Sequence, residues 1–185
     1  MRTLRLTTID AWRATPPAHP HPLHVWLTDR GSLTARLIHH TRCFNLVRLM
    51  QREQLPNRDE RRHLGLRQGE LAIVREVLLR DGDTAQVFGH SLVAQRDLTG
   101  AWRGLGRLGA RPLADMLFHD PTVVRLPMEY RKIDRRHPLY QRIASLNLPL
   151  PTTLWARRSI FLKRGRPLLV TEVFLREPGG GPTLP

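Results

Sequence analysis

The chain predicts an α+β protein: a single antiparallel β-sheet with helices packed on one side. Three observations carry this expectation. Two segments read as β-hairpins with tight turns, the helical spacings are grouped rather than interleaved with strands, and the strand and helix alternation of a doubly wound sheet is absent.

In chain order, Pro16-Pro-Ala-His-Pro-His-Pro22 reads as an extended lead, within a segment 1–22, into a short helix from Leu23 to Thr28. Gly31-Ser32 breaks that helix. Ser32 is placed to cap another from Leu33 through Ile38, because its hydroxyl can accept from a backbone N–H left over at the helix start. A strand follows in which Cys43 alternates with Asn45, Val47 and Leu49, giving the cysteine a packing role. Gln51 to Gly69 is polar, charged and punctuated by Pro56 and Gly65, a connection long enough to act as a functional cover. Leu71 to Leu79 and Thr84 to Ala94 flank Arg80-Asp-Gly-Asp83, and Asp-Gly between alternating segments signals a hairpin. Leu98, Ala101, Trp102, Leu105 and Leu108 recur at helical spacing up to Gly109. Pro112 suits the first turn of a further helix carrying Leu113, Met116 and Leu117. Ser159 to Lys163 and Leu168 to Leu175 form a second hairpin around Arg164-Gly-Arg166. The folded domain is thus 23–176, and 177–185, with Glu177-Pro-Gly-Gly-Gly-Pro182, is a frayed tail.

Two strands each place one charge in an apolar face, and the charges are opposite. Period-2 alternation groups Leu71, Ile73, Arg75, Val77 and Leu79, and likewise Leu168, Val170, Glu172 and Phe174. Removing an ion from water costs several kcal/mol unless it finds a partner. Arg75 and Glu172 therefore either neutralise each other or face a small polar ligand inside the protein. Glu76, next to Arg75, shares the other face with Ala72, Val74 and Leu78, so periodicity leaves open which face is buried.

Composition bounds the function. A chain of 185 residues fits one domain with a core of its own. The single cysteine, Cys43, excludes an intramolecular disulfide and a thiolate metal cluster and agrees with a reducing cytoplasm. Met1 to Asp10 lacks the apolar run of a signal peptide, and no segment approaches the ~18 apolar residues of a membrane span. The net charge of +14 admits nucleic acid, an anionic membrane surface or an anionic metabolite as partner. Arginines are scattered rather than clustered, aromatics for base stacking are few, and no nucleic-acid-binding motif is present, which argues against nucleic acid. Arg103-Gly-Leu-Gly-Arg-Leu-Gly109 lies in a helical segment instead of between strand and helix, so it is no phosphate loop. His19, His21 and His24 are separated by prolines in an extended segment, and His39-His40 would not converge on one ion; no metal is expected.

Taken together, Trp26-Leu27, Gly31-Ser-Leu-Thr-Ala-Arg36, Arg75-Glu-Val-Leu-Leu79, Leu108-Gly-Ala-Arg-Pro-Leu113, Leu117-Phe118, Leu154-Trp-Ala-Arg-Arg-Ser159 and Pro167-Leu-Leu-Val-Thr-Glu-Val-Phe-Leu175 resemble, in this order, the bacterial chorismate lyases. The likeness runs from about Trp26 to Leu175. It implies a cofactor-free enzyme converting chorismate to 4-hydroxybenzoate and pyruvate, the first step toward ubiquinone, with the product enclosed in an internal cavity beneath flaps. It further implies that Arg75 and Glu172 hold the ligand and that Leu33 and Leu113 contact it; Leu33 stands where the best-known members have methionine, so it keeps an apolar wall without a thioether. Arg157-Arg158 matches the family pattern just ahead of a strand and reads as structural or surface-facing. Arg131 to Pro151 is longer than in compact members and would add a helix or alter a flap.

These expectations fit the chemistry. A planar guanidinium can hold a carboxylate by two parallel hydrogen bonds, and lysine cannot replace it. Glu172 would hydrogen-bond the ring hydroxyl or shuttle a proton, its charge set by the contest between apolar surroundings and Arg75. Leu33, Leu113, Ile73 and Phe174 would supply apolar walls, although Ile73 and Phe174 fit a plain core role as well. The expected protein is a cytoplasmic monomer, with weak association with an anionic membrane surface as a further outcome of its charge. The competing reading is a non-catalytic sensor of small aromatic acids with the same fold. Regulators of that kind carry a DNA-binding domain, for which the roughly 22 residues ahead of the first helix are too few.

Overall fold

The computed structural model describes residues 12–19, 21–109 and 111–179; Met1 to Asp10 and most of the glycine-rich tail lie outside the described residues. Two short helices, α1 (His24–Thr28) and α2 (Leu33–His40), precede the first strand, β1 (Phe44–Gln54). Ser32 caps α2 as expected, its hydroxyl accepting from Ala35 N at 3.1 Å. After α3 (Arg58–His63) come β2 (Ala72–Asp81) and β3 (Thr84–Ala94), then α4 (Ala114–Phe118), β4 (Val123–Arg125), β5 (Glu129–Asp134), α5 (Pro138–Ala144), β6 (Thr153–Lys163) and β7 (Arg166–Phe174).

The strands form one antiparallel sheet in the order β1-β2-β3-β7-β6-β4, with β5 also pairing along β6. Both predicted hairpins are present. In the first, Asp81 pairs with Thr84, so Gly82 and Asp83 make the turn and Gly82 takes φ +53°. In the second, Arg164 and Gly165 both adopt positive φ, the conformation that matches the twist of the flanking strands.

One sheet face carries Val77, Leu79, Val87 and Phe174 against α1 and α2, and Ile73, Val93, Phe161 and Leu168 against Trp102, Leu105, Leu113 and Leu117. This is the expected helical cover. Two further helices lie on the opposite face. Leu139 and Ile143 of α5 pack on Leu78, Phe88, Leu154 and Val173, and Leu64 beside α3 packs on Val74, Leu92 and Leu169. The connection from Gln51 to Gly69 is therefore a cover, but of the far face: its first residues extend β1 and the rest forms α3.

Three local expectations are corrected. The segment around Leu98 to Leu108 is built from turns and short 3-10 pieces, Gln95–Asp97 and Arg103–Arg107, not one α-helix. Gly100, Gly104 and Gly106 each cost about 1 kcal/mol in an α-helix, and the three-residue steps Trp102, Leu105, Leu108 line one side of a 3-10 turn equally well. Cys43 is exposed just before β1, where its N–H donates to Asp81 Oδ1 at 2.8 Å, so it does not pack in the interior. Arg157 and Arg158 do not precede a strand but lie inside β6, and both are buried. The long segment after Arg131 adds the helix α5, with Pro138 in its first turn and His137 Nδ1 accepting from Leu139 N.

Candidate active site

Alternation places Arg75, Gly89, Ser91, Val170 and Glu172 on the helix-covered face, where Ser91 pairs with Arg75 and Val170, and Gly89 with Val77 and Glu172. A cavity lies between this patch and the covering segments. Arg75, Val77, Ser91, Val170 and Glu172 line its floor, and Gly31, Leu33, Thr34, Leu113, Leu117 and Phe118 line its cover, where α2 meets α4. Its volume is about 60 Å³, room for a few waters or one small ligand. Gly89 lacks a side chain where one would crowd the floor: an added Cβ would stand 2.9 Å from Val77 Cγ2.

The two charges singled out by periodicity converge on this cavity and do not pair with each other. Arg75 is 2% exposed. Its Nη2 donates to the carbonyls of Arg111 (2.9 Å) and Gly109 (3.3 Å), while its buried Nε has no partner among the described residues. Burial, assisted by the charge of Arg48, pushes the guanidinium down to about 10, so it stays a cation at neutral pH. Glu172 pairs instead with Arg157, whose Nε donates to Glu172 Oε2 at 2.5 Å. The Arg157 side chain is 1% exposed, and its Nη1 also donates to the carbonyls of Trp26 (2.7 Å) and Asp29 (2.7 Å). The counter-ion of the carboxylate is thus Arg157, not Arg75.

Leu33 and Leu113, which the resemblance implies as ligand contacts, both line the cavity. Ile73 and Phe174 do not; each lies in the flanking core. Sequence reasoning missed two residues. Arg157 was legible only with the full length of β6, which sets it on the face shared by Ser159 and Phe161. Arg125 gave no signal, because its strand is three residues long between Pro121 and Pro127. It lines the cavity with its guanidinium 5.8 Å from the Phe118 ring and 5.2 Å from that of Phe161. The rings of His19 and His24 meet edge to face, and His21 Nδ1 accepts from Leu23 N while its ring meets that of Trp155 edge to face.

The model of the family described as chorismate lyase matches residues 12–179. The chain belongs to the chorismate lyase family. It is 43% identical over 165 residues to a protein of Nitrosomonas europaea named probable chorismate pyruvate-lyase, covering 89% of this chain and 93% of that protein. A protein of Aromatoleum aromaticum with the same name is 46% identical over 170 residues, covering 90% and 92% respectively. Among solved structures, the fold of this chorismate lyase family member resembles the PhnF C-terminal domain, with a TM-score of 0.56 at 17% identity over 73% of this chain and 84% of that one. A GntR-family transcriptional regulator from Enterococcus faecalis gives a TM-score of 0.52 at 11% identity, covering 74% and 93%. These distant likenesses show the fold alone. No helix among the described residues is long and apolar enough to cross a membrane.

Proposed function

We propose that this protein is a chorismate lyase that uses Arg75 and Glu172, without a cofactor, to convert chorismate to 4-hydroxybenzoate and pyruvate. The observation that supports the reading is the convergence of a buried cation and a carboxylate, unpaired with each other, on one small cavity.

In this reading the ring carboxylate meets Arg75, whose unpartnered Nε is a donor awaiting an acceptor. Glu172 lies across β3 and receives the ring hydroxyl at the opposite end of the ring. Leu33, Leu113 and Leu117 supply the apolar walls. The reaction removes the hydrogen of the carbon bearing the hydroxyl and breaks the bond from the adjacent ring carbon to the enolpyruvyl oxygen. The C–H electron pair completes the aromatic ring, the C–O pair leaves with enolpyruvate, and the proton ends on its methylene carbon to give pyruvate. Aromatisation supplies the drive, so the protein has mainly to orient the substrate and stabilise charge on the departing oxygen. In this reading Glu172 moves the proton, and Arg157, its ion-pair partner, holds the carboxylate in position.

The enzyme works in this reading as a cytoplasmic monomer. Its charge of +14 draws in the dianionic substrate and gives weak attraction to anionic membrane surfaces. Incubating the purified protein with chorismate tests the proposal: 4-hydroxybenzoate and pyruvate should accumulate in equal amounts without added metal or cofactor. Tight binding of 4-hydroxybenzoate with no turnover would identify a sensor instead.

A further inference from the structure

The cavity holds more positive charge than one carboxylate can use. The charged residues that line it are Arg75, Arg125, Glu172 and His90, the last with its ring beside Glu76 on the other face of the sheet. The His90 ring nitrogens stand 3.2 Å from Glu60 and 3.4 Å from Glu76, so its charge is met by those carboxylates. The charge of Glu172 is met by Arg157, which does not line the cavity. Arg75 and Arg125 remain as cations facing the cavity: Arg125 also feels Glu172 and Asp29, but those carboxylates are already paired with Arg157 and Arg36.

Arg125 is held rigidly but its donors are not all well used. Nε donates to Ser159 Oγ at 3.0 Å and Nη1 to Arg30 O at 2.7 Å, with Gly31 O at 3.4 Å. Among the described residues Nη2 has only the thioether of Met128, at 3.3 Å, a weak acceptor for a cation. Sheet order sets where this donor lies. Arg75 is on β2, Glu172 on β7, and Arg125 on β4 beyond β6, so the two arginines flank the carboxylate from opposite sides. A ring whose hydroxyl meets Glu172 and whose carboxylate meets Arg75 carries its ether on the carbon next to the hydroxyl, on the side away from Arg75.

We propose that Arg125 receives the second carboxylate of the substrate, the one on the enolpyruvyl group that departs as pyruvate. Arg125 is in this assignment the residue that selects a dicarboxylate over a monocarboxylate, and it stabilises the leaving group. The assignment rests on the lyase reading for the identity of the substrate.

The test compares a dicarboxylate with a monocarboxylate in Arg125→Gln, Arg125→Lys and Arg75→Gln enzymes, using steady-state kinetics with chorismate and calorimetric binding of 4-hydroxybenzoate. Arg125→Gln should raise KM for chorismate at least tenfold while the Kd of 4-hydroxybenzoate stays within about threefold, since that ligand lacks the second carboxylate. Arg125→Lys, which keeps the charge, should recover most of that loss. Arg75→Gln should weaken both ligands. If Arg125→Gln weakens both equally, or if lysine is as poor as glutamine, Arg125 serves only to hold the segment at Arg30 and Gly31, and the assignment falls while the lyase reading stands. If the unmodified enzyme makes no pyruvate, the lyase reading fails, and the assignment is read from calorimetric binding of chorismate against 4-hydroxybenzoate; equal effects of Arg125→Gln on both would overturn it there too.

Discussion

Arg75 and Glu172 were legible because a charge in an apolar strand face is costly and breaks an otherwise regular pattern. Their partners were not legible. Arg75 bonds to carbonyls of Gly109 and Arg111, more than thirty residues away, and Glu172 bonds to Arg157 across a strand pair. Arg75→Ala should weaken 4-hydroxybenzoate binding ten- to a hundredfold, in line with about 1.5–3 kcal/mol for a hydrogen bond to a charged group, and calorimetric titration measures it. A lysine there should fail to restore affinity, because an ammonium cannot reproduce the planar fork. Glu172→Gln should lower kcat by about 10²–10⁴ with KM changed only a few-fold. Wild-type turnover in that variant would remove the carboxylate from the chemistry.

The hairpins β2–β3 and β6–β7 could be read from alternation and turn residues, since both signals are local. Strands β4 and β5 could not, because short segments carry too few residues for a period, and their place is set by pairing with β6. That strand also does the most to join the site to its cover. Arg157, within β6, holds Glu172 with one nitrogen and the carbonyls of Trp26 and Asp29 with another, so sheet and helical cover are tied through one side chain. Asp29 adds to the same turn: burial opposes its charge, but the Gly31 N–H and Arg36 hold its carboxyl below the usual range. Arg157→Met should leave a carboxylate and two carbonyls without their donor and destabilise the fold by about 3–5 kcal/mol, read as a lower urea midpoint. The same variant should lower kcat as Glu172 loses the donor that positions it, and an unchanged kcat would show that Arg157 is structural only.

Across the molecule, the face away from the cavity carries a buried ionic cluster that opposes two histidines. Burial disfavours a charge on His90, but Glu60 and Glu76 outweigh it and push the imidazole up to about 9. Glu76 is further held by Arg142 at 2.7 Å. Burial and the charge of Arg131 push His137 down to about 4. The signs differ. His90 binds its proton more tightly folded than unfolded, so its contribution is complete below its ordinary value near 6.5 and is lost as pH rises through about 9. His137 binds its proton less tightly when folded, so its contribution is complete above 6.5 and is lost as pH falls through about 4. Urea midpoints should therefore peak near pH 6.5 and fall on both sides. His90→Gln should flatten the alkaline limb alone, and an alkaline limb that persists in that variant would exclude His90 as its source.

Alternation, turn residues and a cap were enough to specify the α+β character, the two hairpins, the helix after Ser32 and the pair of charges, because each depends on neighbours within a few positions of the chain. The opposite-face helices, the 3-10 course of Arg103–Arg107, the burial of Arg157 and the presence of Arg125 in the cavity depend on which strands lie side by side. Strand order is settled by burying both sheet faces at once, and that long-range balance of desolvation against pairing leaves no periodic trace along the chain.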